Sequence, residues 1–393
     1  WLFADLGLHE LLCHHRHRPW ALWAARKKLL ISLLGNAFLI AALAVTYVSF
    51  GSFDYTDLFA KAVALREQPA PNSMMIWAIG SLFVLAAMTK SAQFPFHSWL
   101  PDTMEAPTPV SALMHAGIIN AGGFLVIRLS PLLVLSPAAL SLLVMIGAIT
   151  ALLGGVVMLS QTSVKRSLAF STIAQMGFMM LQCGLGGFSA ALLHIVAHSL
   201  YKAHAFLSSG SVLEQAARTQ LTQARARGGR AVLVTDILAV AGAVAILGLT
   251  LACFGIKIAE KPGGIVLGFV LLLALTNLLS TFLATRIWNL SLLGIAAAVV
   301  VAFAYFASFE LIDSLLAATM SRQPLERSLL DRAVHVVAVA SFVAIFIVQN
   351  FIQNFSHMGW VQVFYVHANN GFYLDIPFRR LTGWIYGQPA AVS

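Results

Sequence analysis

The chain has 393 residues, of which 59% are hydrophobic and only 10% charged. Soluble domains carry about 25% charged residues, so a water-soluble globule is excluded. The formal charge of +9 is not read as nucleic-acid binding, because the basic residues distribute with membrane topology instead.

The chain opens on WLFADLGLHELL, inside an apolar stretch and without an initiator Met, so further N-terminal helices are expected to precede it. Apolar runs near the ~20 residues needed to cross a bilayer follow at 29–50, 74–97, 108–128, 132–159, 168–186, 188–212, 232–255, 263–284, 287–307 and 333–354. With the partial run at 1–12, they predict an all-α, polytopic transmembrane helix bundle. HELLCHHRH (9–17) misses the HExxH zinc pattern, since His14 falls one position late, and no metal site is expected in the chain. With the 13–28 loop on the cytoplasmic side and the spans alternating, most Lys and Arg fall in cytoplasmic segments, Arg26, Lys27 and Lys28 among them. That leaves Lys90 and Lys202 inside spans, where a basic side chain is costly and marks function. Cys13, Cys183 and Cys253 lie far apart and suggest no disulfide framework.

The stretch FPFHSWLPDTMEAPTPVSALMH (94–115) sets Pro95, Pro101, Pro107 and Pro109 around Asp102 and Glu105. It reads either as a loop between spans or as a helix break beginning just after Lys90; irregular backbone at membrane depth is tolerated only against protein or water. Further on, HIVAHSLYK spaces His194, His198 and Lys202 four apart, which stacks them on one helical face. Such a file can relay protons, because lysine and histidine both exchange them; the alternative is a polar core that only holds helices together. EQAARTQLTQARARGGR (214–230) is polar, basic and glycine-ended, and marks a cytoplasmic linker. It divides a conducting core at 1–213 from C-terminal transmembrane helices at 231–354, with Asp236 inside a span and Glu310 and Asp313 at a span end. Residues 355–393 form a cytoplasmic tail, an interfacial anchor or a partner-docking surface, with docking favoured.

Three blocks carry a resemblance: MTKSAQFPFHSWLPDTMEAPTPVSALMHAG (88–117), SVKRSLAFSTIAQMGFM (163–179) and LHIVAHSLYKAHAFLSSGSV (193–212). They resemble the proton-conducting antiporter-like family of respiratory complex I membrane-arm subunits and Mrp cation/proton antiporters. The resemblance implies that Lys90 is the family's central lysine at a helix break and Lys202 the linking lysine. It further implies that His194, His198, Lys165 and His115 occupy polar relay positions. One departure concerns the glutamate that the family pairs with the central lysine. Aligning Trp1 with the tryptophan that commonly precedes it puts Leu2 at the glutamate position. Asp5, one turn on, is then the substitute partner for Lys90. No lysine inside the spans 232–255, 263–284 and 287–307 matches the family's second-half lysine, and both gaps argue against a subunit working in a complex I chain.

Two end segments, LHELLCHHRHRPWALWAARKKLLISLLGN (8–36) and VQVFYVHANNGFYLDIPFRRLT (361–382), resemble the DabB-type membrane subunits of inorganic-carbon accumulation complexes. That resemblance implies a large peripheral, zinc-containing, carbonic-anhydrase-like partner of the DabA type, with no cofactor in this chain. The expected function is therefore an ion-translocating subunit of a bacterial inner membrane, moving protons or sodium and lacking its own catalytic site. It would couple a cation gradient to accumulation of CO2 and bicarbonate by the partner. Two alternatives stand: a proton-pumping subunit of a respiratory NADH dehydrogenase or Mrp antiporter, and a non-conducting membrane anchor.

Overall fold

The computed structural model describes residues 1–66, 74–210, 229–257, 261, 263–283, 288–316, 336, 339–344 and 358–387. Among these residues every regular element is helical. The expected linker at 214–230 lies almost wholly outside them, as does most of the expected span 333–354.

The first unit comprises residues 1–212 and 327–393. It begins with α1 (Leu2–Leu12) and α2 (Pro19–Phe50). Proline at the head of α2 lacks the amide that a helix cannot use there, and Gly51 at φ 68° ends it in a left-handed cap. The helix therefore starts ten residues before the apolar run at 29–50. A short α3 (Tyr55–Arg66) precedes α4 (Met74–Lys90). The chain then passes through irregular and 3-10 turns, the single turn α5 (Trp99–Asp102), and an interrupted pair, α6 (Thr108–Ala116) and α7 (Ala121–Arg128). After α8 (Ser130–Leu133) come the long helices α9 (Pro137–Ser160), α10 (Val164–Gly184) and α11 (Phe188–Leu207).

The second unit, residues 213–326, holds α12 (Gly229–Phe254), α13 (Gly264–Leu283) and α14 (Trp288–Leu315). Its core sets Ala239 and Ala243 of α12 with Ala298 and Ala302 of α14 against Leu275 and Leu279. Small residues let helices approach where lipid supplies no hydrophobic drive between them. Lys261 pairs with Glu310 at 3.3 Å and Asp313 at 3.5 Å, so both acids are engaged in ion pairs. The tail returns to the first unit as α15 (Gly359–Asn369) and α16 (Ile376–Tyr386).

Six of the described helical stretches are long and apolar enough to cross a membrane: α2, 108–128, α9, 235–254, α13 and 289–315. The protein is a multi-pass membrane protein. The ten runs read from the sequence map onto this set unevenly. α4 has 17 residues and stops at Lys90, short of the expected 97. α10 and α11 reach spanning length but are less apolar, because their faces carry the hydroxyl, amide and imidazole groups described below.

α9 and α10 pack backbone against backbone, and glycine allows it. Gly147 and Gly154 on α9, and Gly177 and Gly184 on α10, are seven residues apart and share a face. A β-carbon on Gly147 would stand 2.5 Å from the Leu181 amide nitrogen and 2.7 Å from the Gly177 carbonyl oxygen. Both are backbone atoms and cannot swing aside. Gly147→Ala should lower the melting temperature of the detergent-solubilised subunit, at an overpacking cost of about 1–3 kcal/mol. Gly248→Ala, whose β-carbon would meet nothing within 4 Å, should leave it unchanged or raise it slightly.

Candidate functional site

The site is built at the two places where helices stop inside the first unit. α4 ends in a Schellman-type turn: the Gln93 amide donates to the Met88 carbonyl at 2.9 Å, with Ala92 left-handed between them at φ 48°. This stop places Lys90 in the last turn, where unpaired carbonyls favour a cation. Lys90 is buried, and its Nζ donates to Asp5 Oδ1 at 2.7 Å beneath the Trp1 ring. The same oxygen accepts from Lys28 Nζ, also at 2.7 Å. One carboxylate thus serves two ammonium groups, and all three residues are buried.

The sequence places Lys27 and Lys28 in a cytoplasmic loop, and the structure corrects this. Both lie inside α2, at 0% and 2% exposure, because the helix begins at Pro19. Lys27 Nζ donates to Asp102 Oδ2 at 2.8 Å and to the Ser98 carbonyl at 3.1 Å. Consecutive lysines therefore face two different carboxylates. The proline at the first helical turn was the available signal for the earlier start.

The second stop is at Gly117–Asn120, between α6 and α7, where a 3-10 turn interrupts the expected span 108–128. The two stops touch. Ser91 Oγ donates to the Ile119 carbonyl at 2.6 Å, which satisfies a backbone acceptor freed by the interruption. Asn120 Nδ2 donates to the Ala116 carbonyl at 2.7 Å and to Ser199 Oγ of α11 at 3.0 Å. A polar line therefore runs from the Lys90 helix end through Ser91, Ile119 and Asn120 to α11.

On α11 the expected stripe is one face. The His194 and His198 rings lie 5.8 Å apart, and Lys202 follows one turn on, fully buried. His194 Nδ1 meets Gln182 Oε1 at 3.1 Å. Lys202 Nζ donates to Ser171 Oγ at 2.8 Å and the Leu168 carbonyl at 3.3 Å, both on α10. His115 ends α6 near this face, with Nδ1 at 3.0 Å from Thr172 Oγ1 and its ring stacked on Phe206. Among the described residues, His198 Nδ1 and Nε2, His115 Nε2 and Asn120 Oδ1 are buried without a protein partner. Water is the group that can satisfy such atoms, and four of them along one line suit a relay. His204 is exposed, off the stripe.

Lys165 does not join the stripe. It sits half-buried in the first turn of α10 and lines a surface basin of about 410 Å³ with Asp102, Glu105, Arg166, Asp375 and Arg379. Pro95, Pro101 and Pro107 occupy the interrupted segment, whereas Pro109 starts α6. The residues that sequence reading missed are Lys27, Lys28, Ser91, Asn120, Ser171, Thr172, Gln182 and Ser199. Most are small polar side chains with no signal of their own; only Gly117 inside an apolar helical pattern hinted at the second break.

The model of the family described as NADH:quinone oxidoreductase/Mrp antiporter, transmembrane, matches residues 4–259. The chain belongs to this family. It is 38% identical over 375 residues to a "Probable inorganic carbon transporter subunit DabB2" of Halothiobacillus neapolitanus, covering 95% of this chain and 67% of that protein. It is 44% identical over 224 residues to a "Probable inorganic carbon transporter subunit DabB" of Hydrogenovibrio crunogenus, covering 57% of this chain and 42% of that one. The chain thus spans two thirds of the first relative's length and less than half of the second's. The fold is similar to a chain of the Mrp complex from Dietzia sp. DQ12-45-1b, with a TM-score of 0.57 at 23% identity over 95% of this chain and 45% of that chain.

Removing Asp5 leaves two buried ammonium groups without their carboxylate. Asp5→Asn should therefore destabilise the first unit by about 3–5 kcal/mol, as for other broken buried pairs. Lys28→Met added to Asp5→Asn should recover part of that loss, because it removes one of the stranded charges. Thermal melts of the two single variants and the double variant measure the coupling; strictly additive losses would show that the contacts are not energetically linked.

Proposed function

We propose that this chain conducts protons through the buried line from Asp5–Lys90 to Lys202, and that the flux energises inorganic-carbon uptake. The observation that carries the reading is the join between the two helix stops and α11, made by Ser91, Asn120 and Ser199. It brings two lysines from distant parts of the sequence onto one polar path. Lys90 takes and releases the proton against Asp5, and His115, His198 and Lys202 receive it with water filling the gaps. Protons suit the line better than sodium, because its groups are mainly lysine and histidine nitrogens, which exchange protons, whereas hard cations take oxygen ligands. The relatives' names support inorganic carbon as the transported species. The partner in this reading is a peripheral, carbonic-anhydrase-like protein of the DabA type with its own zinc site, on a bacterial inner membrane. The membrane chain contributes no catalytic group.

Lys90→Ala tests the line at its centre. The variant should assemble with its partner yet lose transport-dependent growth at ambient carbon dioxide. Wild-type growth from a fully assembled variant would sink the relay at that residue. Lys202→Met should be close to null, whereas His194→Gln and His198→Gln should each slow flux in part and more than additively together. Activity per assembled complex that stays constant across these four variants would instead mean that the stripe only holds helices together.

A protonophore separates conductor from anchor, since the driving force is about 2.3 kcal/mol per charge per 100 mV. Carbon accumulation should stop when the membrane potential collapses while the complex stays intact. Accumulation that continues unchanged would favour the anchor.

A further inference from the structure

The surface basin next to the site has no part in the line described above. Its charged lining is balanced, with Asp102, Glu105 and Asp375 against Lys165, Arg166 and Arg379. A balanced polar lining holds water better than it holds any one ion, and the volume of about 410 Å³ admits on the order of ten waters. The basin is open to the surface, since the Glu105 and Arg379 side chains are 48% and 51% exposed. Its inner wall is different. The Asp102 side chain is 30% exposed and holds Lys27, which is fully buried. The next residue along α2, Lys28, points to a different side of the helix and holds the Asp5 carboxylate. Exposure thus falls from 30% at Asp102 to between 0% and 4% at Lys27, Lys28, Asp5 and Lys90. Among the described residues two buried atoms of these groups have no protein partner: Ser98 Oγ, on the residue whose carbonyl Lys27 meets, and Asp5 Oδ2. Each is a place where a water can join the charged groups.

We infer that the basin is the aqueous inlet of the proton path, with the Asp102–Lys27 ion pair as its gate to the Lys28–Asp5–Lys90 cluster. The inference rests on the proton-conduction reading and adds where protons reach the buried groups. In each passage Lys90 first passes its proton on and is neutral; Lys27 then releases a proton through water to Lys90 and is itself briefly neutral. Asp102 then returns one proton to it from basin water, so the pair regains its charge and consumes no other reactant. Consecutive lysines on α2 divide the work: one faces the inlet, the other the buried carboxylate.

Ser163 lines the basin, is exposed, and makes no side-chain cap for α10, so Ser163→Cys is a mild change. Cys13 and Cys183 are buried and Cys253 is exposed, so the test uses a Cys253→Ser background. The full-length subunit, with its complex, is reconstituted in proteoliposomes and treated with a bulky neutral maleimide. Labelled Ser163→Cys should lose at least tenfold in proton flux, while the unlabelled variant and the maleimide-treated background conduct normally. Full labelling with unchanged flux overturns the inlet alone and leaves the relay standing. A folded variant that resists labelling also overturns it, because the basin is then closed to solvent. Absence of flux from the unlabelled wild type overturns the relay and the inlet together. As an independent arm, Asp102→Asn should reduce flux tenfold or more and Asp102→Glu should retain most of it. Equal flux from Asp102→Asn and wild type overturns the gate even where the asparagine variant is less stable.

Discussion

A carboxylate that must serve two buried ammonium groups is the constraint around which the first unit is arranged. Charges inside an apolar bundle are tolerated only when opposite charge and hydrogen bonds surround them. Asp5 can meet Lys28 and Lys90 together only if α1, α2 and α4 converge on one point. That convergence fixes the end of α4, and with it the place where the chain leaves helical geometry. Lys27, fixed in turn by α2, reaches Asp102 and the Ser98 carbonyl and so pins the interrupted segment after the break. Two adjacent lysines thereby secure both sides of a non-helical stretch.

Broken helices at membrane depth free backbone groups that lipid cannot satisfy. Here the two interruptions answer each other. The Ser91 hydroxyl, just past the α4 stop, takes the Ile119 carbonyl exposed by the α6–α7 stop. Close approach is also enforced by Gly122, where a β-carbon would stand 2.5 Å from Ser91 Oγ. The polar line is therefore a by-product of repairing backbone. Groups placed there to satisfy carbonyls also connect Lys90 to the Asn120–Ser199 contact.

The fold class, the Lys90 break and the α11 stripe were legible in the sequence because each depends on local pattern. Apolar length gives spans, proline gives interruption, and a four-residue spacing gives a face. Asp5 as the partner of Lys90 was legible only through resemblance, since 85 residues separate them. Lys27 and Lys28 were misread because counting charges treats every basic residue at a span end as a topological signal. Pro19 was a local signal that the helix already contains the pair; which carboxylates the two lysines meet depends on distant parts of the chain. Lys165 shows how helix register sets what a side chain faces. It resembles a relay position, yet it faces the basin, because the first turn of α10 lies two turns from Ser171 and Thr172, which meet Lys202 and His115.

The tail bears on the core chiefly through aromatic rings. Trp23 of α2 has the Lys27 ammonium 5.6 Å from its centroid and the Arg379 guanidinium of α16 at 6.0 Å. Tyr386 of the same helix lies 5.2 Å from the Arg26 guanidinium, and Phe378 packs on Phe96 of the interrupted segment. α16 is therefore held by α2 and by the break, the same two elements that Lys27 ties together. Its outward side keeps Trp384 at 84% exposure, a residue type that anchors interfaces. Through Arg379 and Trp23 this helix lies only two side chains from the Asp102–Lys27 pair. Cation–π contacts of this kind are worth about 0.5–2 kcal/mol each, less than a buried ion pair costs to break. Displacing α16 would thus shift Arg379 and the basin wall well before it disturbed the buried charges.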